Sequence, residues 1–327
     1  MVGGSCAHVR PGTLLEEGAS FGHAVGLKQT VLLPFAAMGS LINFCDCLMS
    51  GGTGADNHSE VGSSYVHFNF TPHQDKATAS LVGDVPRGVM MDQPPIFLGG
   101  QGGLVGPRRI AFGTVLAAGQ ICRQDVPVPG RLIRAGTPRE GLDRPYDPRA
   151  MGGGGRRVSA NLEYLGNLLA LDAWWRVVRA RFVRDVWQRH CHEGALLRLT
   201  EMLDERMKRL DQFAEKVALS LSLAAGPDAP ACRSQRAFVA AWPALREALR
   251  AQIVARTVLV PPADVHAILA RTAETNGACA ADGAYLAWVQ ALALANKQCL
   301  TAWLQAEVDA CTACGVVLDS DSCILTP

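Results

Sequence analysis

The residues best suited to bind a metal are cysteines and histidines in three short groups. Cys311-Thr312-Ala313-Cys314 is followed by Cys323, and the other groups are Cys45-Asp46-Cys47 and His190-Cys191-His192. A structural zinc site needs four ligands, usually from two such pairs, and each group supplies at most three. We therefore interpret the cysteines as small buried side chains and predict no metal site. An odd total of 11 cysteines without regular spacing predicts reduced thiols in a cytoplasmic protein.

A second candidate is a run of arginines beside tryptophans on one predicted helix. The arginines are Arg176, Arg179, Arg181, Arg184 and Arg189. The whole chain has 31 Lys+Arg against 30 Asp+Glu, so no general field attracts nucleic acid or an anionic membrane. No apolar run approaches the ~20 residues of a membrane span. We expect this helix to pack on the β-helix predicted for the first half of the chain or on another subunit, and we expect no nucleic-acid or membrane partner.

The elements that position any site fall into two halves of different composition. Residues 1–157 contain most of the 33 glycines, whereas residues 158–327 contain all six tryptophans. Between them, a stretch rich in Pro, Gly and Arg ends in Gly152-Gly153-Gly154-Gly155 and lacks apolar periodicity. A chain of 327 residues allows about two domains. We predict a first domain over residues 1–126, a linker over 127–157 and a helical domain over 158–327.

A six-residue period dominates part of the first half. Its aliphatic positions are Leu98, Leu104, Ile110, Leu116, Cys122 and Val128. The same step occurs upstream at Val9, Leu15, Phe21 and Leu27. One inward aliphatic side chain per six residues is the pattern of hexapeptide repeats in a parallel β-helix. We predict that fold for residues 9–128, with Leu98, Leu104, Ile110 and Leu116 pointing inward.

The second half has helical periodicity. Apolar residues recur at spacings of three and four from Val158 to His192, which places them on one face of a helix. Further helical segments are predicted near residues 195–224, 234–257, 262–275 and 281–310. These lengths and spacings predict a mainly α-helical domain, built as a bundle or as packed hairpins.

Several segments of the first half resemble a known family. The matching segments are His8-Val9-Arg10-Pro11-Gly12, Val25-Gly26-Leu27-Lys28, residues 39–46, residues 60–70 and residues 96–125. They are similar to the acetyltransferase half of the bifunctional N-acetylglucosamine-1-phosphate uridyltransferase / glucosamine-1-phosphate acetyltransferase and of related sugar nucleotidyltransferase-like proteins. The resemblance implies a left-handed parallel β-helix, a homotrimer, an amino-sugar phosphate as ligand and acetyl-CoA as cofactor. It covers most of residues 6–126 and nothing beyond them.

The resemblance also implies roles for individual residues. Arg10 and Lys28 match the family's phosphate-contacting cations, and Asn69 matches a sugar-contacting asparagine. The remaining matches are Phe70 in place of a tyrosine, Lys76 as a further lysine, and Ala117 and Ala118 in the segment that lies along acetyl-CoA.

The catalytic position departs from the family. Ser40 stands where the family has its histidine base, and Asn43 stands where it has a tyrosine. A serine hydroxyl without a base does not accept the amine's proton near neutral pH. Replacement bases are His58, His67 and His23, of which we favour His58, although a loop histidine is more often a hydrogen-bonding surface residue.

Three functions follow from these observations. Arg10, Lys28 and Asn69 favour a protein that binds a sugar phosphate or a nucleotide-sugar without acylating it. The alternatives are an acetyl-CoA-dependent acyltransferase acting on an amino-sugar phosphate, and a structural trimer that carries helical interaction domains. We do not expect uridyl transfer by this chain alone, because no glycine-rich nucleotide loop precedes the repeats. A trimer is expected because a short β-helix would leave faces rich in Phe and Ile uncovered.

Overall fold

The computed structural model describes residues 2–69, 71, 75–134, 149, 151, 154–223, 230–275 and 284–316. Within these ranges the chain forms two large parallel sheets followed by a helical part. None of the helices in these ranges combines the length and the apolar character needed to cross a membrane.

The first sheet has seven short parallel strands. Their order in the sheet is the same as their order in the chain, although strands of the second sheet lie between them in the sequence. In sheet order the strands are Val2–Gly3 (β1), Ser20–Phe21 (β4), Ala37–Met38 (β6), Glu60–Val61 (β10), Phe97–Leu98 (β13), Val115–Leu116 (β16) and Leu132–Ile133 (β18). Many register partners, such as Val2 with Ser20 and Leu98 with Leu116, are 17 or 18 residues apart in the chain.

The second sheet has nine parallel strands and is branched. Its strands are His8–Val9 (β2), Leu14–Leu15 (β3), Gly26–Leu32 (β5), Asn43–Met49 (β7), Val66–Phe68 (β11), Ser80–Val82 (β12), Gly103–Val105 (β14), Arg109–Ile110 (β15) and Ile121–Cys122 (β17). A separate antiparallel pair joins Gly52–Gly54 (β8) to Asn57–His58 (β9).

The predicted left-handed parallel β-helix is wrong, because the strands form two open sheets rather than three faces of a closed prism. Strands β5 and β7 explain the difference. Each is seven residues long, and each carries two short partner strands end to end, as β5 does with β2 and β3. Gln29 and Asp46 bend these strands with positive φ and are not paired with each other, but the same register continues on both sides of them. Short strands that the six-residue period would place on separate faces of a β-helix therefore belong to one sheet.

The predicted burial of the repeat residues is confirmed. Leu98, Leu104, Ile110 and Leu116 are fully buried in an apolar core lined by both sheets. Val128, the last position of the period, is instead exposed and lies outside that core. The period therefore identifies the inward positions from Leu98 to Cys122, whereas Val9, at its upstream end, is also exposed.

The helical part contains one short and six longer helices among the described residues. They are Val85–Gly88 (α1), Gly155–Val177 (α2), Val186–Ser222 (α3), Pro230–Ala255 (α4), Ala263–Thr275 (α5), Ala284–Ala291 (α6) and Leu294–Val316 (α7). Short 3-10 turns at Arg179–Phe182 and Arg256–Val258 connect them. The predicted helical character of the second half is thus confirmed. Within the predicted linker, residues 135–148, 150 and 152–153 lie outside the described residues, and β18 joins the first sheet.

A second apolar core joins the helices to the sheets. It combines Trp174 and Leu168 of α2 and residues of the other long helices with Val31, Leu48 and Leu81 of the second sheet. Polar contacts fasten the same interface. The Asn161 side chain donates to the Ala77 carbonyl, and the Asn167 side chain accepts from the Val85 amide. The helical half therefore packs directly on the sheets.

Candidate ligand site

Arg10 and Lys28 lie side by side where β2 and β5 pair. Val9 is the register partner of Leu27, and the Arg10 amide donates to the Leu27 carbonyl at 2.9 Å. Lys28 is in turn the register partner of Cys45 on β7. The parallel register therefore places the two cations and the thiol in one row across three strands.

The turn after Arg10 is fixed by hydrogen bonds and by close packing against β5. The Thr13 hydroxyl donates to the Arg10 carbonyl at 2.7 Å. Gly12 has φ +71°, and a Cβ there would lie 2.2 Å from the side chain of Gln29, so the turn requires glycine. Gln29 is also the residue at which β5 bends, and its amide donates to the Pro11 carbonyl. The turn and the bend hold Arg10 against Lys28.

The thiol in this row does not neutralise the cations. Burial raises the pKa of the Cys45 thiol, although Arg10 and Lys28 act in the opposite direction. Cys45 is therefore an uncharged acceptor at neutral pH, and Arg10 Nη2 donates to its Sγ at 3.3 Å. Among the described residues, Arg10 Nε is buried without a partner and the Lys28 ammonium forms no ion pair. The row keeps donors available for an anion.

The nearest carboxylate, Asp46, is already engaged. Arg206 of α3 forms an ion pair with Asp46 Oδ1, and the Asn69 Nδ2 group donates to Oδ2 at 3.1 Å. Asn69 directly follows β11, which pairs with β7. The structure thus places Asn69 beside the strand that carries Cys45. Because the charge of Asp46 is balanced by Arg206, it does not cancel Arg10 or Lys28.

The other substrate-binding candidates are not joined to this row. Phe70 lies outside the described residues. Lys76 is exposed, has φ +53° and follows Asp75, which pairs with Arg157 of α2. No contact among the described residues connects Lys76 to Arg10 or Lys28.

None of the candidate replacement bases contacts the cations. His58 is in the β8–β9 hairpin, where its Nδ1 lies 2.6 Å from the Ala55 carbonyl. His67 is fully buried, and its Nε2 lies 2.7 Å from the Ser80 hydroxyl. Desolvation lowers the pKa of His67 to about 4, so its ring is neutral near pH 7. His23 is exposed, and its backbone carbonyl accepts from Leu41.

Ser40 and Ala118 belong to one row of turns along the first sheet. The Ser40 amide donates to the Ser63 hydroxyl at 3.2 Å, and the Ser64 amide donates to the Ser40 carbonyl. The row continues through Gly100, whose neighbour Gly99 would place a Cβ only 2.5 Å from the Ala118 amide nitrogen. Ala117 precedes Ala118 and bonds to the Ile133 carbonyl at 2.9 Å. The candidate cofactor segment therefore shares an edge with Ser40.

Sequence reasoning missed the partner of Asp46. On α3, Arg206 occupies a position in the buried stripe that also contains Met202, Leu203 and Leu210. A charged residue at a core position needs a buried partner of opposite charge. That break in the stripe is the signal by which Arg206 could have been found.

A further group at the interface was also missed. Burial raises the pKa of Glu16 to about 7, and the indole of Trp175 donates to its Oε1 at 2.8 Å. Next to it, Arg179 pairs with Glu17 and lies 3.8 Å from the ring centroid of Tyr285. Glu17, Trp175, Arg179 and Tyr285 line, together with other residues of the helical half, a cavity of about 350 Å³.

Arg179 connects the 3-10 turn after α2 to the sheet half through Glu17. The single helix predicted for the arginine run is wrong, because Arg176 lies in α2 and Arg189 in α3, with that turn between them.

Metal ligands do not converge in the described part of the chain, where no three His, Cys, Asp or Glu side chains form a metal-binding group. Cys311 is buried and Cys314 accepts a hydrogen bond from Gln252, while Cys323 lies outside the described residues.

No protein-family model matches the chain, and no curated protein is significantly similar to it.

Proposed function

We propose that this protein binds a phosphorylated sugar or nucleotide-sugar, with the phosphate held by Arg10 and Lys28. The observation that carries the proposal is the register that sets these two cations beside an uncharged thiol. Two cations at one phosphate form charge-assisted hydrogen bonds worth roughly 1.5–3 kcal/mol each. The pairing of Asp46 with Arg206 supports the proposal, because the nearest carboxylate does not compete.

The sugar would lie toward Asn69. Its Nδ2 group is held by Asp46, and its amide oxygen has no partner among the described residues. A carbonyl oxygen accepts hydrogen bonds from sugar hydroxyl or amino groups. We propose that the bound ligand is released unchanged, since none of the candidate bases His58, His67 and His23 is hydrogen-bonded to Arg10 or Lys28 in the described part of the chain. Buried free thiols such as Cys47 support a reducing, cytoplasmic setting.

Acyl transfer from acetyl-CoA is the second candidate function. It is favoured by the row of turns in which Ser40 and Ala118 lie along the same edge. In this case a base other than Ser40 would take the amine's proton, and a homotrimer would bring further groups to the edge. Ser40→His should then raise any trace acetyl transfer, because a positioned general base contributes about 10²–10⁴-fold.

Calorimetric titration with a hexosamine 1-phosphate tests the binding function. Arg10→Ala and Lys28→Ala should each weaken binding by about ten-fold or more, since ~1.4 kcal/mol is a factor of ten. Arg123→Ala, which removes an exposed cation from the same half of the chain, is the matched control and should bind as the wild type does.

Equal affinity in wild type and Arg10→Ala would refute the phosphate site. Brisk release of coenzyme A by the wild type, measured with acetyl-CoA and the same sugar phosphate, would favour acyl transfer over simple binding.

A further inference from the structure

Arg206 reaches from the helical half into the bend of the second sheet. It lies on α3, its side chain is 2% exposed, and it pairs with Asp46, which is 160 residues away in the chain. Burying a guanidinium is costly unless an opposite charge and hydrogen bonds compensate it. Its other terminal nitrogen, Nη1, is buried without a partner among the described residues. The buried neighbours of Arg206 on its helix are apolar, so they offer it no ion pair, and its described ion pair is with Asp46.

Asp46 transmits that contact to Asn69. One carboxylate oxygen binds Arg206, and the other accepts from Asn69 Nδ2 at 3.1 Å. Asp46 adopts φ +56°, a conformation that few non-glycine residues adopt, at the bend between Cys45 and Cys47. The ion pair with Arg206 holds the carboxylate in one orientation. That orientation in turn decides which end of the Asn69 amide is occupied.

We propose that Arg206 is a positioning residue that makes Asn69 present its carbonyl oxygen to the sugar part of the ligand. This inference rests on the proposed sugar-phosphate function. An acceptor at this place selects ligands with a hydroxyl or amino group near the phosphate over bare phosphate. The helical half therefore contributes to sugar recognition through one buried ion pair, while Arg10 and Lys28 bind the phosphate.

The reason is that the two ends of the Asn69 amide differ, since its oxygen accepts hydrogen bonds and its nitrogen donates them. If the carboxylate of Asp46 were free to turn, Asn69 would have no fixed acceptor and its amide would present either end. If Asn69 presented its NH₂ group instead, that group could not accept a hydrogen bond from the hydroxyl or amino group of the sugar. A neutral hydrogen bond lost in this way lowers affinity by about two- to ten-fold. The phosphate contacts do not pass through Asp46, so they should persist.

Two probes separate these contributions, namely inorganic phosphate and glucosamine 1-phosphate, each titrated by calorimetry into the full chain. Arg206→Met should weaken glucosamine 1-phosphate binding by about five-fold and change inorganic phosphate binding by less than about two-fold. Asn69→Ala should have the same effect. The double variant R206M/N69A should match N69A alone, because Arg206 acts through Asn69.

Arg209→Met is the matched control, since Arg209 lies on the same helix and its partners among the described residues are Glu205 and Gln212. It should bind both probes as the wild type does. If Arg206→Met does not fold, D46N/R206M removes both charges and avoids the buried unpaired carboxylate. That variant should show the same selective loss of glucosamine 1-phosphate affinity.

The outcomes are distinguishable. If the wild type binds neither probe, the proposed function itself fails. If the wild type binds both and Arg206→Met preserves their affinity ratio, only the positioning role is overturned. Loss of both probes in D46N/R206M, with its fold intact by circular dichroism, would also overturn it, because Arg206 would then support the whole surface. Additive losses in R206M/N69A would show that Arg206 does not act through Asn69.

Discussion

Two cores hold this molecule together, and they differ in how far apart in the chain their contacts lie. In the inner core, between the sheets, register partners such as Leu98 and Leu116 are only 18 residues apart in the chain. In the shared core, between sheets and helices, Trp174 bonds to the Tyr285 hydroxyl 111 residues away, and Trp175 bonds to Glu16 at a separation of 159 residues. The inner core can form from neighbouring strands, whereas the shared core needs most of the chain.

The helices dock largely on the loops that interrupt the 17- or 18-residue spacing. Val61 and Leu98 are register partners 37 residues apart, and the chain between them contains Asp75, Ala77 and Val85. Each of those three residues has a polar contact with α2. The comparison teaches that the regular strands build a platform and that the insertions build its interface.

The largest expected effect comes from removing the central side chain of the shared core. Trp174→Ala should lower the free energy of unfolding by about 3–5 kcal/mol, because it leaves a large cavity and an unpaired Tyr285 hydroxyl. The helical signal in circular dichroism should then be lost at a lower denaturant concentration than the sheet signal. Leu98→Ala should lower the free energy of unfolding by about 2–5 kcal/mol. In that variant both signals should be lost together at a lower denaturant concentration, since the helices need the sheets as a platform. Coincident transitions in Trp174→Ala would break the distinction between the cores.

The pH dependence of stability should sharpen the comparison, because the pKa of Glu16 at the interface is raised and that of His67 in the sheets is lowered. Between pH 4.5 and 7, folded Glu16 keeps a proton that the unfolded chain releases, so its contribution falls as the pH rises. Between pH 4 and 6.5, unfolded His67 binds a proton that the folded protein does not, so its contribution falls as the pH is lowered. Each contribution is about 3 kcal/mol, from a shift of roughly two pKa units or slightly more.

Urea unfolding at several pH values checks these slopes. Relative to wild type, Glu16→Gln should make the slope of unfolding free energy against pH more positive, and His67→Gln should make it more negative. Parallel curves for wild type and both variants would show that neither group titrates differently in the two states.

How much of this structure the sequence predicts depends on the range of the contact. The period through Leu98, Leu104 and Ile110 reports which side chains are inward, because that depends only on neighbouring residues along each strand. The number of sheets was not predictable from it, since a register that resumes unchanged beyond the bends at Gln29 and Asp46 leaves no mark in a six-residue pattern.

The candidate site shows the same limit. The adjacency of Arg10 and Lys28 follows from a separation of 18 residues, close to the spacing of the strands. The link from Asp46 to Arg206 spans 160 residues and joins two halves with unrelated patterns, so no local signal pairs them. Only the charged residue in an otherwise apolar stripe indicated that α3 needed a partner there.

The smallest expected effect is a pair of identical substitutions with opposite outcomes. Gly99→Ala should destabilise the protein by about 1–3 kcal/mol, because its Cβ would lie 2.5 Å from the backbone nitrogen of Ala118 in the next turn. Gly194→Ala, on α3 with open space around the new Cβ, should stabilise it by about 0.5–1 kcal/mol through a lower backbone entropy cost. Differential scanning calorimetry on both variants measures the signs. A neutral Gly99→Ala would mean that adjacent turns of the first sheet can separate at little cost.

The hydrogen bond between α7 and the turn that follows α1 has a consequence for biosynthesis. Lys297 Nζ donates to the Met90 carbonyl at 2.8 Å, across 207 residues of chain. At a translation rate of about 5–20 residues per second, roughly 10–40 s pass between the two residues at the ribosome. Throughout that interval Val85, Val89 and Met90, all buried in the finished protein, have no α7 to cover them. The nascent chain therefore presents an apolar patch that a ribosome-associated chaperone would have to shield until the last described helix emerges.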